Sequence, residues 1–134
     1  VFYFPPVKKG AGVTLIDSMQ WQDDQHGQLL VVDKNTLTPT LQLPFDAGFV
    51  FHFGNAWQQG NTLVVNACWY DNADVMLNGV IEVIADAETR HRRSTAAQIV
   101  IDLNSKNATL NNTSTDMEFV QFDNRYTGQK TAIQ

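Results

Sequence analysis

The segment that most restricts the fold runs F-V-F-H-F-G-N-A-W-Q-Q-G-N-T-L-V-V-N-A-C-W-Y, from Phe49 to Tyr70. Residues 48–53 and 62–70 are aromatic, β-branched and apolar, and the turn-forming stretch 58–61 lies between them. This is the composition of two antiparallel strands joined by a tight connection. Side chains alternate along a strand, which predicts Phe49, Phe51 and Phe53 on one face and Val50 and His52 on the other. An imidazole carried by so apolar a strand needs a partner for its ring nitrogens. A buried protein acceptor satisfies that need, and so does a metal ion with such an acceptor behind it. One histidine alone does not make a metal site.

Shorter runs of the same kind fill much of the chain. Phe2-Tyr3-Phe4 is closed by Pro5-Pro6, Lys8-Lys9-Gly10 reads as a turn, and residues 13–16 read as a strand. Residues 21–28 are polar and predict a loop. Residues 29–33 and 40–43 predict a hairpin around the turn chemistry of 35–39. Later, 97–103 reads as a strand, 104–107 as a turn and 108–111 as a weaker return, with a polar loop over 112–116. The period changes after Tyr70. Ala73, Met76, Leu77, Val80, Ile81, Ile84 and Ala87 recur at three- and four-residue steps, which predicts an amphipathic helix over 72–88. Asp71 stands where an N-cap would, and Asp74 suits the positive end of the dipole. Gly79 costs that helix about 1 kcal/mol relative to alanine. The β-branched residues beyond it leave a strand over 79–85 open. Residues 89–94 form a basic connector. The expectation is a mainly β unit spanning 1–134, of antiparallel strands with one short helix and no internal repeat.

The chain's 134 residues amount to one domain. A net charge of −5 argues against a general nucleic-acid binder. No apolar run approaches the roughly 18 residues of a membrane span, and the reading from Val1 onward carries the expectation of no basic-then-apolar leader. The single Cys68 has no internal disulfide partner and reads as an inert packed thiol; a reducing, cytoplasmic setting is the expectation. Sequons at Asn107, Asn111 and Asn112 read as chance in an Asn/Thr-rich stretch.

Other polar residues are weaker candidates for chemistry. His26 falls in a polar loop and reads as solvated. His91, in Arg90-His91-Arg92-Arg93, belongs to a run that could bind an anion but reads as a solvated connector. Adjacent Asp23 and Asp24 do not converge in a strand, and Ser18 and Ser94 lack a base nearby in sequence. Trp57 and Trp69 read as core, whereas Trp21 is the candidate for surface recognition. On residues alone, Glu118 is a surface carboxylate at a loop exit.

Two segments carry a resemblance. F-x-F-H-F-x-N-A-W, at Phe49 to Trp57, resembles the third histidine motif of the carotenoid cleavage oxygenases, the family of the lignostilbene dioxygenases and the retinal isomerohydrolase. E-F-V-Q-F-D-N-R-Y-T-G, at Glu118 to Gly128, resembles the family's E-F-P-R-[IVF]-D-x-R-[FY]-x-G segment, in the right order and at about the family's distance. The chain departs from the pattern at Gln58, where the family commonly has an acidic residue, and at Val120-Gln121, where it has Pro-Arg. These changes suggest a divergent member.

The resemblance implies a seven-bladed β-propeller, of which this chain supplies about two blades: residues 1–71 with the histidine motif, a helix over 72–88, and 89–134 ending in the glutamate motif. It also implies that His52 is one of four histidines holding a single non-haem Fe(II), with Glu118 behind it as an orienting carboxylate. No further catalytic residue is implied within the chain. The expected reaction of the parent is O2-dependent cleavage of a conjugated C=C bond in a carotenoid, apocarotenoid or stilbene-type alkene, without an organic cofactor. With one ligand of four, the chain alone is expected to lack iron and activity. Its uncovered strands are expected to self-associate through residues 49–53. The alternative is a free-standing β-rich binding module in which His52 is simply packed.

Overall fold

A computed structural model describes residues 2–3, 19–22, 24–79 and 93–130. The expected strand over 13–16, the turn at Lys8–Gly10, the helix beyond Gly79, and Ser18, Asp23, His91 and the connector over 89–92 lie outside those residues.

The described chain is almost all antiparallel β. Strands β1 (Phe2–Tyr3) and β2 (Gln20–Trp21) pair; β3 (Gly27–Val32) and β4 (Pro39–Phe45) form a hairpin; and β5 (Phe49–Gln59), β6 (Thr62–Tyr70), β7 (Thr95–Asp102) and β8 (Asn107–Asp116) form a four-stranded sheet in sequence order. Such an up-and-down four-stranded sheet is the unit from which propeller blades are made. The hairpin packs one face on it. Leu43 and Phe45 of β4 meet Trp69, Ala97, Ile99 and Ile101 of the sheet, with Leu29, Val31, Val50 and Val65 around them. Leu30 and Val32 alternate outward to solvent, as a half-buried strand requires. Gly48 makes room for the Trp69 indole, whose atoms a Cβ would meet at 1.8 Å.

The β3–β4 and β7–β8 hairpins close with the same turn. Asp33 Oδ1 accepts from the Asn35 and Thr36 amides at 2.9 and 2.8 Å, and Asp102 Oδ1 from the Asn104 and Ser105 amides at 2.8 and 3.0 Å. Those amides hold both carboxyls below the usual aspartate range. The fifth residue is left-handed in each, Leu37 at φ 56° and Lys106 at φ 53°. D-x-N-[ST]-x is thus a small device used twice, too short to register as an internal repeat.

The polar stretches depart from expectation. Residues 21–28 are not all loop: Trp21 is half-buried in β2, and β3 begins at Gly27. Likewise 112–116 continues β8, because its polar side chains cross-link to β7. Thr95 Oγ1 donates to Asn112 Oδ1 at 2.6 Å and Thr113 Oγ1 to the Ala96 carbonyl at 2.8 Å. Cross-strand polar pairs of this kind hold a sheet whose sequence lacks apolar alternation. After Tyr70 a wide helical turn spans Val75–Gly79. Its entry is capped by Asn72 Oδ1, which accepts from the Asp74 amide at 2.9 Å, so Asn72 does the work expected of Asp71.

Candidate functional site

The face of the four-stranded sheet opposite the hairpin carries the two sequence motifs, and irregularity in β5 is what aims the first of them. Val50 pairs with Trp69 and Phe53 with Ala67, so Phe51 and His52 together oppose Cys68 alone; Phe53 pairs with Ala67 and Ala56 with Val65, so Gly54 and Asn55 together oppose Asn66. Each is a bulge, two residues against one, of the kind that re-aims side chains. The period becomes three. The expected alternation with His52 opposite Phe51 is therefore corrected: His52 turns to the side of Phe51, with ring centroids 6.2 Å apart, and meets Phe119 at 4.6 Å. Phe49 and Phe51 stack edge-on at 4.5 Å, and Phe51 meets Tyr70 at 5.9 Å. Phe53 does not join them and is 60% exposed.

The second motif lies over this bulged strand as its lid. Gly54 approaches Val120 so closely that a Cβ would lie 2.3 Å from Val120 Cγ1. Asn55 is 1% exposed. Its amide donates to the carbonyls of Tyr126 and Gln129 at 3.1 and 2.7 Å and accepts from the Gly128 amide at 3.0 Å. That loop is pre-shaped by Asp123, which accepts from the Arg125 amide at 3.0 Å and grips its guanidinium, and by Gly128 at φ +78°, where a side chain would be strained. The Arg125 guanidinium holds the Asp123 carboxyl below its usual range. The motifs form one physical unit.

Within it, His52 Nε2 lies 3.7 Å from Glu118 Oε1, ion-pair range and longer than a hydrogen bond. Both groups are partly exposed. Glu118 Oε2 accepts from the Tyr70 hydroxyl, and Ser94 Oγ lies 2.8 Å from the same oxygen; Ser94 Oγ also reaches the Met117 carbonyl. Burial first, then the bond to Glu118, pushes the Tyr70 phenol up to about 12, so it is a proton donor at neutral pH. Register assembles the cluster: Trp69 pairs with Thr95 and Thr95 with Asp116, which places Tyr70 beside Ser94, and Ser94 accepts the Met117 amide at 3.0 Å. Ser94, set aside in the sequence for want of a nearby base, lies against a carboxylate. The only sequence signal for either hydroxyl was position at a strand end.

The remaining candidates stay apart. Cys68 is fully buried; burial pushes its thiol up, against the Val120 amide that lowers it, as suits an unreactive group. Trp57 and Trp69 are buried, as expected of core residues, and His26 is exposed. Gln58 donates to the Gly60 carbonyl at 2.9 Å, closing its turn. Among the described residues no three of His, Cys, Asp and Glu converge to hold a metal ion. No described helix is long and apolar enough to cross a membrane.

The family described as retinal pigment epithelial membrane protein (RPE65) matches residues 1–133. The chain belongs to this family of carotenoid cleavage oxygenases. Structures similar to this RPE65-family chain include cobalt-substituted Synechocystis ACO and an ACO/RPE65 chimera, each with a TM-score of 0.62 and 18% identity over 85% of this chain and 24% of the other. A point mutant of Synechocystis ACO matches with a TM-score of 0.51 and 18% identity over 71% of this chain and 19% of the other. The chain thus spans about a quarter of the length of those structures, and at this identity the likeness is one of fold. No curated protein sequence matches the chain.

Proposed function

We propose that this RPE65-family chain is the part of a non-haem iron(II) dioxygenase that supplies one iron ligand, His52, and the carboxylate that orients it, Glu118. The observation that carries the reading is their convergence at 3.7 Å from strands and loops 66 residues apart in sequence, inside the unit formed by both family motifs. One imidazole and one backing carboxylate suit one corner of a cage, and the further donors would come from other blades of a seven-bladed propeller. That one of the similar structures is described as cobalt-substituted fits a metal-dependent parent.

Iron, when bound, would supply the oxygen chemistry of cleaving a conjugated C=C bond. This chain's residues do the rest at their corner. Glu118 holds the imidazole in one orientation and favours the proton on the nitrogen facing it, leaving the other nitrogen's lone pair for the ion. Phe51 and Phe119 line the approach with apolar rings suited to a carotenoid, apocarotenoid or stilbene-type alkene. Apart from the other blades, the chain lacks iron and activity and associates with itself through exposed Phe53 and Phe119.

The test uses the intact polypeptide that carries this chain. His52→Ala is expected to abolish both stoichiometric iron and O2-dependent cleavage of an apocarotenoid, while His26→Ala keeps both. Full iron content in the His52→Ala protein rejects the assignment.

A further inference from the structure

The carboxylate of Glu118 has two oxygens with different surroundings. Oε2 is the acceptor for the Tyr70 and Ser94 hydroxyls, whereas Oε1 faces His52. Both hydroxyl bearers are themselves enclosed. Tyr70 is 6% and Ser94 3% exposed; Phe49 and Phe51 pack against the phenol ring, and Ser94 sits immediately before β7 with its backbone carbonyl bonded to the Met117 amide. Glu118 itself is far less enclosed, with a side chain 36% exposed, in a loop beyond the last strand. A partly exposed carboxylate on a loop, left without fixed partners, turns about its side-chain bonds and would present either oxygen, or neither, to the imidazole. Two buried hydroxyls held at neighbouring strand ends remove that freedom.

We infer that Tyr70 and Ser94 are positioning residues that clamp Glu118 by one oxygen and thereby dedicate the other to His52. The clamp rests on the His52–Glu118 reading and deepens it, since it makes the orientation of a metal-binding imidazole depend on two hydroxyls that never touch the metal. It also accounts for two polar groups buried at one end of that sheet face. A buried hydroxyl is costly without a partner, and here both have the same carboxylate oxygen within reach. Tyr70 gives its proton to Oε2 outright. Ser94, with one proton and two acceptors in reach, shares it between Oε2 and the Met117 carbonyl, which ties the carboxylate to the backbone that carries it.

The experiment reads which ring nitrogen of His52 carries the proton, by 15N NMR of the chelator-treated 134-residue chain at mildly alkaline pH, with His26 as an internal reference. The wild-type chain is expected to favour the proton on Nε2. The Tyr70→Phe, Ser94→Ala double variant is expected to lower that preference roughly three- to tenfold, the range one hydrogen bond of ordinary net strength commands. Ser94→Thr, which keeps the hydroxyl, is expected to keep the preference. Tyr70→Phe alone keeps the ring packing, so it gives a folded variant with a partial loss. An unchanged preference in the double variant overturns the clamp. If Glu118→Gln also leaves His52 unchanged, the His52–Glu118 reading fails with it; if Glu118→Gln alters His52 while the double variant does not, only the clamp is lost.

Discussion

At the scale of single residues, the site depends on what is missing as much as on what is present. Gly54 has no side chain because Val120 occupies its place. Gly54→Ala is expected to cost about 1–3 kcal/mol through overpacking, measured by denaturant unfolding. Adding Val120→Ala should recover part of that loss, so that the double variant is less destabilised than the two single changes summed; strict additivity would show that the two do not compete for space. Tyr70 carries a second prediction. Its phenol, ordinarily near 10, is pushed up to about 12 by burial and then by Glu118. The folded chain therefore holds this proton more tightly than the unfolded chain does. The resulting stability is complete below the unfolded value near 10 and is lost as pH rises from there through about 12. Tyr70→Phe has no such proton to lose. The stability difference between wild type and this variant should shrink across that alkaline window, whereas a constant difference would contradict the environment described for Tyr70.

At the scale of elements, one strand and one loop bring His52 and Glu118 together. Strand β5 carries two bulges in succession, and the loop that follows β8 is held on it by the Asn55 side chain. Asn55→Ala removes three hydrogen bonds while leaving the strand's backbone pairing in place. The expected outcome is a loss of about 1–3 kcal/mol together with faster exchange of the Gly128 amide, whose acceptor is gone. Unchanged exchange at Gly128 would mean that the loop is held by other contacts. The strand boundaries explain what was readable beforehand. The hairpin β3–β4 and the pair β5–β6 follow from alternation and turn residues. The bulges left no such trace, because F-V-F-H-F satisfies a regular strand as well as a bulged one, and only pairing against β6 shows where the extra residues fall. The polar C-terminal half of β8 was hidden for a different reason: its Asn and Thr side chains, which read as loop, bond across to β7.

At the scale of the whole chain, the four-stranded sheet has one face covered by the hairpin and the other by the 117–130 segment, yet its aromatic rim is open. Phe53 is 60% and Phe119 68% exposed, with Phe51 at 43%. Exposed apolar clusters of this kind favour association, and β5 is an edge of its sheet among the described strands. Light scattering at tens of micromolar is expected to show a species larger than a monomer, shifted toward monomer by Phe53→Ser with Phe119→Ser. A strictly monomeric wild-type chain would remove the proposed self-association without touching the assignment of His52.

The sequence alone determined that this chain is a β-rich member of its family, because strand-forming runs, turn residues and the two motifs are local signals that need no partner to be read. It also named His52 and Glu118, through motifs rather than through any physical proof that they meet. Only tertiary structure decided which way His52 points and what holds Glu118. Those outcomes depend on strand register, which sets Cys68 against two residues of β5 and Tyr70 beside Ser94, and register is a relation between distant segments that no single segment encodes.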